Sequence, residues 1–341
     1  MSRLISKYYT IKYGEKIGVG LTGNVYKAVR KTDGEICAVK ILRRNALDGA
    51  IQEAVDNETK ALSILDHSNI CRVLDSFEDR VNFYIVLEFI NGDQLLSKIA
   101  SYNEADMKLV SISILNALQH CHGHDVVHRD IKCENVLIQR DCALGNIKLI
   151  DFGFAKFAAD LSLTGRLGTP FYMAPEIWSG RPYGKPVDMW AFGVMIYILL
   201  CGRPPFFDPD HSKLVEKIQR GELEFPDSSS SSEAVSAACK EFITLLLQVE
   251  VDRRMTAEEA LEHRWVWRKK DTFKFSFQIC ADLSFFVCLI FFPSCLSTLC
   301  LSVLTTVPPD SKLGRPCSRK LLSKQWFALL DVSKAFKLSN I

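Results

Sequence analysis

The sequence predicts an α+β protein built from two lobes, a small β-rich N-terminal lobe and a larger helical C-terminal lobe. Two patterns lead to this prediction. Residues 8–86 alternate short β-rich runs with one helix-like stretch, whereas from Gln94 to about Trp267 the apolar periodicity is mainly helical. The chain has 341 residues and 48% hydrophobic content, which is ample for a large core.

Composition narrows the classes of partner and compartment. Lys and Arg number 42 against 40 Asp and Glu, a net charge of +2 without a broad basic stripe, which argues against a nucleic-acid partner. The 12 cysteines include no Cys-x-x-Cys pair, and no secretory signal precedes Tyr8. We therefore expect reduced thiols and a cytoplasmic protein. Four histidines between residues 120 and 128 are expected to pack rather than to bind a metal.

The most informative segment is 127–137, VHRDIKCENVL, which is followed by an Ile-Asp-Phe-Gly motif that contains Asp151. Both motifs in this order resemble the catalytic loop and the metal loop of protein kinases. The resemblance implies that Asp130 accepts the proton of an attacking hydroxyl and that Lys132 neutralises charge on the γ-phosphate of ATP. It also implies that Asn135 and Asp151 hold Mg²⁺ between phosphate oxygens.

A glycine-rich run lies near the N-terminus, where residues 17–26 read IGVGLTGNVY. Its glycines lack a Cβ, so their backbone N–H groups can approach phosphates closely. The run Cys-Ala-Val-Lys that ends at Lys40 follows at the distance found in protein kinases, and it resembles the strand that positions the α- and β-phosphates. By this resemblance the ATP-binding residues are Ile17, Gly18, Val19, Gly20, Gly23, Val25, Ala38, Lys40, Glu88 and Leu137.

Lys40 needs a counter-charge, because an unpaired ammonium on a buried strand would be costly or would lose its proton. The helix-like stretch 51–65 offers Glu58, which aligns with the ion-pairing glutamate of the kinase C-helix, and Glu53 is the competing candidate. Residues 66–70 resemble the turn that ends that helix. Counting back from this turn favours Glu58.

The resemblance also divides the chain into ranges. The kinase domain is expected at 13–267, with an N-terminal extension at 1–12, the smaller lobe at 13–86, the hinge at 87–92, the larger lobe at 93–267 and a tail at 268–341. In the hinge, backbone groups would contact adenine. The best-supported helices of the larger lobe are 109–120, 187–200 and 240–249, with a closing helix at 256–265.

Four residues are expected to support the architecture of the kinase fold. Asp188 would cap the backbone of the catalytic loop, and Glu176 would pair with Arg254. Arg129 would bind a phosphate on the activation loop. Gly165 stands where many relatives carry an activating threonine, so we expect phosphate on the activation-loop residues Thr164 or Ser162, or a loop that orders without phosphate.

Substrate class follows from the end of the activation loop. The segment GTPFYMAPE, which contains Thr169, resembles the substrate-docking end of a Ser/Thr kinase, and Lys132 with Thr169 favours Ser and Thr over Tyr. Glu134 can attract Arg or Lys on a protein substrate, whereas Gln94 replaces a frequent glutamate, so a weakened preference for basic residues is expected. Residues 203–206 and 263–265 are most similar to the calcium/calmodulin-dependent kinase group.

The tail contains an uncharged apolar segment, 283–307, that is long enough to span a bilayer. Pro293 and many Ser, Thr and Cys residues make it a weak candidate for a transmembrane helix. Three explanations stay open: a membrane anchor, a translated intron, and a buried helix of a soluble protein. The basic stretch 321–338, with Trp326 and Phe336, resembles a calmodulin target.

The sequence therefore predicts a Ser/Thr protein kinase that uses ATP and Mg²⁺. The alternatives are a pseudokinase scaffold, whose expected signature is loss of Lys40, Asp130 or Asp151, and a membrane-tethered signalling protein. All three signature residues are present.

Overall fold

The structure, a computed structural model, describes residues 4–19, 23–44, 49–97, 102–140, 144–158, 161–226 and 235–266. Several predictions lie outside these ranges, namely those on Gly20 and on the tail 268–341 with its apolar segment 283–307 and its basic stretch 321–338. No helix in the described ranges combines the length and the apolar character needed to cross a bilayer.

The smaller lobe is an antiparallel sheet. Its strands are β1 (Tyr9–Val19), β2 (Asn24–Arg30), β3 (Ile36–Arg43), β4 (Val73–Glu78) and β5 (Asn82–Glu88), in the order β1-β2-β3-β5-β4. Helix α1 (Gly49–Ile64) contacts β4. Because β3 is the central strand, Lys40 lies opposite Val25 on one neighbour and Ile85 on the other.

The first strand begins at Tyr9, inside the range 1–12 predicted as an extension. Ile5, in a short 3₁₀ turn, and Tyr9 are both buried in a cluster that includes Val39 and Val86 of the sheet. The rest of β1 is largely exposed, so it carries little apolar signal. Part of the range predicted as an extension therefore packs with the sheet of the smaller lobe.

The larger lobe is built on buried helices. They are α2 (Glu104–Gly123), α3 (Pro175–Trp178), α4 (Pro186–Cys201), α5 (His211–Arg220), α6 (Ala237–Leu246) and α7 (Ala257–Glu262). Helix α4 is buried at every position from 187 to 200, as expected of a helix at the centre of a lobe, and it contacts α2 and α6. It ends at Cys201 and is capped by Gly202, whose φ of 71° is left-handed.

Short strands frame the segments that carry the predicted chemistry. The strands β6 (Gly92–Gln94), β8 (Val136–Gln139) and β9 (Ile147–Leu149) form one sheet, and β7 (Val126–Val127) pairs with β10 (Lys156–Phe157). The predicted catalytic loop therefore runs between β7 and β8. Asp151 lies two residues after the end of β9, so both motifs start from paired strands.

The predicted helices of the larger lobe all differ from the structure at their ends, and two of them show the reason. The helix predicted at 240–249 is α6, which begins earlier because the hydroxyl of Ser236 caps it by accepting the N–H of Cys239 at 3.2 Å. The closing helix, predicted to reach Trp265, ends at Glu262, because the next residue is already extended.

Three histidines join the loop after α1 to the end of α2. The ring centroids of His67 and His120 are 5.1 Å apart, and those of His120 and His124 are 4.5 Å apart. The Nε2 atom of His120 is buried without a hydrogen-bond partner in the described part of the chain. Burial lowers the pKa of His67 and of His120, and the neighbouring imidazole lowers each further, against a smaller opposing effect of Asp66.

This stack predicts that stability falls in mild acid. Because the folded pKa of His67 and His120 lies below the unfolded value, the unfolded chain binds more protons as pH falls below about 6.5. Chemical unfolding of the full chain between about pH 7.5 and 5.5 measures this loss. His120→Phe, which keeps a stacked ring that cannot titrate, should reduce the pH dependence, whereas His211→Phe, outside the stack, should not. A wild-type slope in His120→Phe would contradict the prediction.

Candidate active site

The catalytic loop is shaped by one buried carboxylate. Asp188, in the first turn of α4, accepts the backbone N–H groups of His128 at 2.9 Å and Arg129 at 2.8 Å. It also lies 3.0 Å from the Nε2 atom of His122. Burial alone would raise the pKa of Asp188, but the bonds from His122 and His128 lower it. The carboxylate thereby stabilises Arg129 in a left-handed conformation, φ 65°, that costs free energy in a non-glycine residue.

Asp130 is held in place through both of its carboxylate oxygens. Oδ1 accepts the hydroxyl of Thr169 at 3.0 Å, and Oδ2 accepts the ammonium of Lys132 at 2.5 Å and the amide of Asn135 at 3.2 Å. The Lys132 ammonium also bonds the Thr169 hydroxyl at 3.2 Å. Asp130 is buried, so these four residues form one ordered cluster.

Lys40 lies between two carboxylates. Its ammonium is 2.7 Å from Glu58 and 2.8 Å from Asp151. Burial alone would lower the pKa of Lys40, but the charges of Asp151 and Glu58 raise it above its usual value. For Glu58 burial prevails and raises the pKa, whereas for Asp151 the charge of Lys40 outweighs burial and lowers it. Glu58, and so α1, is therefore joined to the segment after β9.

These residues fit a magnesium nucleotide. A Cβ at position 153 would lie 3.2 Å from both Asp151 Oδ1 and Lys40 Nζ, so Gly153 keeps the space between these charges open. The amide nitrogen of Asn135 donates to the backbone oxygen of Asp130 at 2.8 Å, which leaves the amide oxygen for a cation. An amide oxygen and an ionised carboxylate are the hard ligands that Mg²⁺ prefers.

The glycine-rich hairpin lies beside β3. A Cβ at Gly23 would lie 2.2 Å from the backbone oxygen of Ile41, so only glycine fits there, whereas at Gly18 it would meet Val25 at 3.4 Å. The hairpin also leaves two apolar side chains largely exposed, Ile17 at 47% and Val19 at 72%.

The other predicted ATP-binding residues are spread over the strands next to the hinge. Ala38 is buried on β3, and Leu137 on β8 is half-buried. The carboxylate of Glu88 accepts the backbone N–H of Arg72 at 2.8 Å and the ammonium of Lys148 at 2.7 Å. The carboxylate of Glu88 is thus already hydrogen-bonded within the protein. Any contact of Glu88 with ATP would therefore be made by its backbone.

Arg129 and Tyr183 contact the activation segment at different points. The guanidinium donates to the backbone oxygen of Phe154 at 2.6 Å and to the hydroxyl of Tyr183 at 3.4 Å. Leu163 and Tyr183 exchange two backbone hydrogen bonds of 2.9 and 3.0 Å. The predicted phosphate acceptors Ser162 and Thr164 flank Leu163 and are exposed.

The end of the activation segment is tied into the helical lobe. Glu176 and Arg254 form a two-pronged ion pair with distances of 2.7 and 3.0 Å, and both are buried. Arg254 also donates to the backbone oxygens of Pro186 at 2.9 Å and Gln248 at 3.0 Å. One guanidinium therefore joins α3 to the start of α4 and to the segment after α6.

Sequence reasoning missed three contributors. They are Tyr183, which bonds Arg129; His122, which bonds Asp188; and Lys148, which bonds Glu88. Lys148 carried no usable signal, because its neighbours Ile147 and Leu149 are buried on the opposite face of the strand, and this alternation is typical of a half-exposed strand. Nothing local in the sequence marks Tyr183.

Comparison with known proteins identifies the family. The family model described as the protein kinase domain matches residues 11–266. The chain belongs to the protein kinase family. The kinase is similar to a calcium/calmodulin-dependent protein kinase type 1 of Macrobrachium nipponense, 37% identical over 254 residues, which is 73% of each chain.

Two nematode proteins of the same name are also similar to this kinase. The relative from Caenorhabditis briggsae is 36% identical over 258 residues, 74% of this chain and 72% of that protein. The relative from Caenorhabditis elegans is 36% identical over 258 residues, 74% of this chain and 73% of that protein. Together with the family these relatives confirm the predicted class: the protein is a serine/threonine protein kinase, with ATP and protein as its substrates.

Proposed function

We propose that this kinase transfers the γ-phosphoryl group of ATP through the cluster around Asp130, with Asn135 and Asp151 as the Mg²⁺ ligands. The observation that supports this most directly is the cluster itself. Asp130 is buried, and both of its oxygens are oriented by Lys132, Thr169 and Asn135. A carboxylate held in this way can orient a Ser or Thr hydroxyl and accept its proton.

In the proposed reaction, the substrate oxygen forms a bond to the γ-phosphorus while the bond from that phosphorus to the β–γ bridging oxygen breaks. The hydroxyl proton passes to Asp130, and Lys132 stabilises negative charge on the transferred group. Lys40 binds the α- and β-phosphates, and Glu58 holds Lys40 in position. Mg²⁺, when bound, neutralises charge on the phosphate oxygens.

The scaffold alternative would be favoured by a disrupted nucleotide site. Instead, Lys40 lies within 2.8 Å of both Glu58 and Asp151, which matches a site prepared for phosphates. We therefore favour catalysis over a scaffold role.

Asp130→Asn should abolish most turnover and leave nucleotide binding intact. Loss of a general base typically costs about 10²–10⁴-fold in rate, and the amide keeps the size of the carboxylate. The assay is phosphate transfer to a serine peptide, with and without an upstream arginine, which also tests the weak basic preference expected from Glu134. Asp33→Asn, at an exposed turn of the smaller lobe, serves as the control. Equal background rates in wild type and Asp130→Asn, with both binding MgATP, would support the scaffold.

We also propose that phosphate on Thr164 strengthens the activation segment. Thr164 is exposed, and its backbone oxygen lies 3.5 Å from the Tyr183 hydroxyl that also bonds Arg129. A phosphate there would be close to the Arg129 guanidinium. Charge-assisted hydrogen bonds contribute about 1.5–3 kcal/mol each, which shifts a loop equilibrium about tenfold or more.

Thr164→Ala should therefore lower the activity of the phosphorylated kinase about tenfold, whereas Ser162→Ala should have little effect. Mass mapping of the active protein shows which residue carries phosphate, and peptide kinetics give the effect of each variant. Undiminished activity in Thr164→Ala would exclude Thr164 and leave Ser162, or order supplied by the Leu163–Tyr183 pairing alone.

We propose calmodulin as a regulator and the cytoplasm as the location. Two observations support calmodulin as the regulator. The similar proteins are named calcium/calmodulin-dependent kinases, and the basic stretch 321–338, outside the described residues, resembles a calmodulin target. The described cysteines form no disulfide with one another and are mostly buried, which supports a reducing compartment. Titration of the full chain with calmodulin should show binding only with Ca²⁺, and its absence would argue against this regulator. Recovery of the kinase in the membrane fraction would argue against the location.

A further inference from the structure

A charged side chain of the larger lobe reaches the first residues of the hinge. Lys148, on β9, places its ammonium 2.7 Å from the carboxylate of Glu88, and it also donates to the backbone oxygen of Ile70 at 3.1 Å. The side chains of Lys148 and Glu88 are only 14% and 21% exposed. The pair is therefore shielded from water well enough to be worth more than a surface salt bridge.

The same carboxylate closes a ring of bonds with the loop after α1. Glu88 accepts the backbone N–H of Arg72 at 2.8 Å and donates its own N–H to the backbone oxygen of Arg72 at 3.0 Å. The backbone N–H and the backbone oxygen of Arg72 are therefore both hydrogen-bonded to Glu88. The conformation of the residue at which β5 enters the hinge is thus coupled to the carboxylate that Lys148 holds.

The strand that carries Lys148 is itself tied to the loop after α1. Leu149 donates to the backbone oxygen of Asn69 at 2.8 Å and accepts the N–H of Cys71 at 2.9 Å, and the amide of Asn69 donates to Ile147 at 3.0 Å. The ammonium therefore lies where three segments meet: the hinge, the loop after α1 and the strand that leads to Asp151. Loss of its charge would leave the carboxylate of Glu88 without this cation.

We propose that Lys148 is a positioning residue for nucleotide binding, which fixes the hinge backbone through Glu88 without contacting ATP. The inference rests on the proposed use of ATP at this site. It predicts an effect on nucleotide affinity that is separate from protein-substrate binding, because the catalytic cluster around Asp130 does not involve Lys148. A residue that merely stabilised the fold would lower both together.

Lys148→Met keeps the aliphatic stem and removes the charge. In the full chain we expect Kd and KM for ATP to rise about tenfold, which corresponds to about 1.4 kcal/mol, with KM for the peptide unchanged. Lys148→Arg should recover most of the affinity, because it restores a donor to the same carboxylate. Glu88→Gln should weaken ATP binding as well, and the double variant should lose less than the two single losses combined.

Lys217→Met is the matched control. The Lys217 ammonium also bonds one carboxylate, that of Asp208 at 2.9 Å, and one backbone oxygen, that of Phe207 at 2.9 Å, but it lies on α5 in the helical lobe. Its loss should leave ATP affinity unchanged. ATP binding is measured by calorimetry and both KM values by peptide kinetics.

Three outcomes would overturn the inference. Unchanged ATP affinity in Lys148→Met would show that the pair only supports the fold. Equal losses for ATP and peptide would show the same, and a gain in activity would show that the pair restrains the hinge. In each case an active wild type leaves the proposed function standing. A wild-type chain that neither binds ATP nor phosphorylates peptide would instead contradict the proposed function itself.

Discussion

The buried ammonium of Lys40 is the interaction on which the arrangement of the site depends. It bonds Glu58 and Asp151, which are 18 and 111 residues away in the chain. Removing one partner from a buried ion pair costs about 3–5 kcal/mol, because the other charge is left uncompensated. A free-energy difference of that size shifts the equilibrium between two arrangements of these segments more than about a hundredfold. Helix α1, strand β3 and the segment after β9 are therefore positioned together.

Buried or half-buried carboxylates perform a similar task in the irregular segments. Asp188 fixes the start of the catalytic loop, Glu176 fixes the end of the activation segment through Arg254, and Glu88 fixes the entry to the hinge. Loops expose backbone N–H groups that no helix or strand can satisfy. A carboxylate accepts several such bonds at once, so one acidic residue can hold a segment that would otherwise sample many conformations.

Much of the site could be predicted from the sequence, because phosphoryl transfer needs particular residue types at close spacing. Asp130, Lys132 and Asn135 lie within six residues, and the structure brings them together with Thr169. The strand and helix content followed from apolar periodicity. The helix ends could not be predicted in the same way, because a capping group such as the Ser236 hydroxyl decides where the helix begins. The packing of Ile5 could not be predicted either, because the strand that follows it is largely exposed.

The sequence by itself determined the fold class, the order of the motifs and the chemical groups available for catalysis, since those depend on local pattern and spacing. Only the tertiary structure decided which groups meet across the chain. Lys148 bonds Glu88, which is 60 residues away in the sequence, and Arg129 bonds Tyr183, which is 54 residues away. No local signal marks such pairs, because they form only when packed strands and helices bring distant segments within hydrogen-bond range and exclude the water that would otherwise compete.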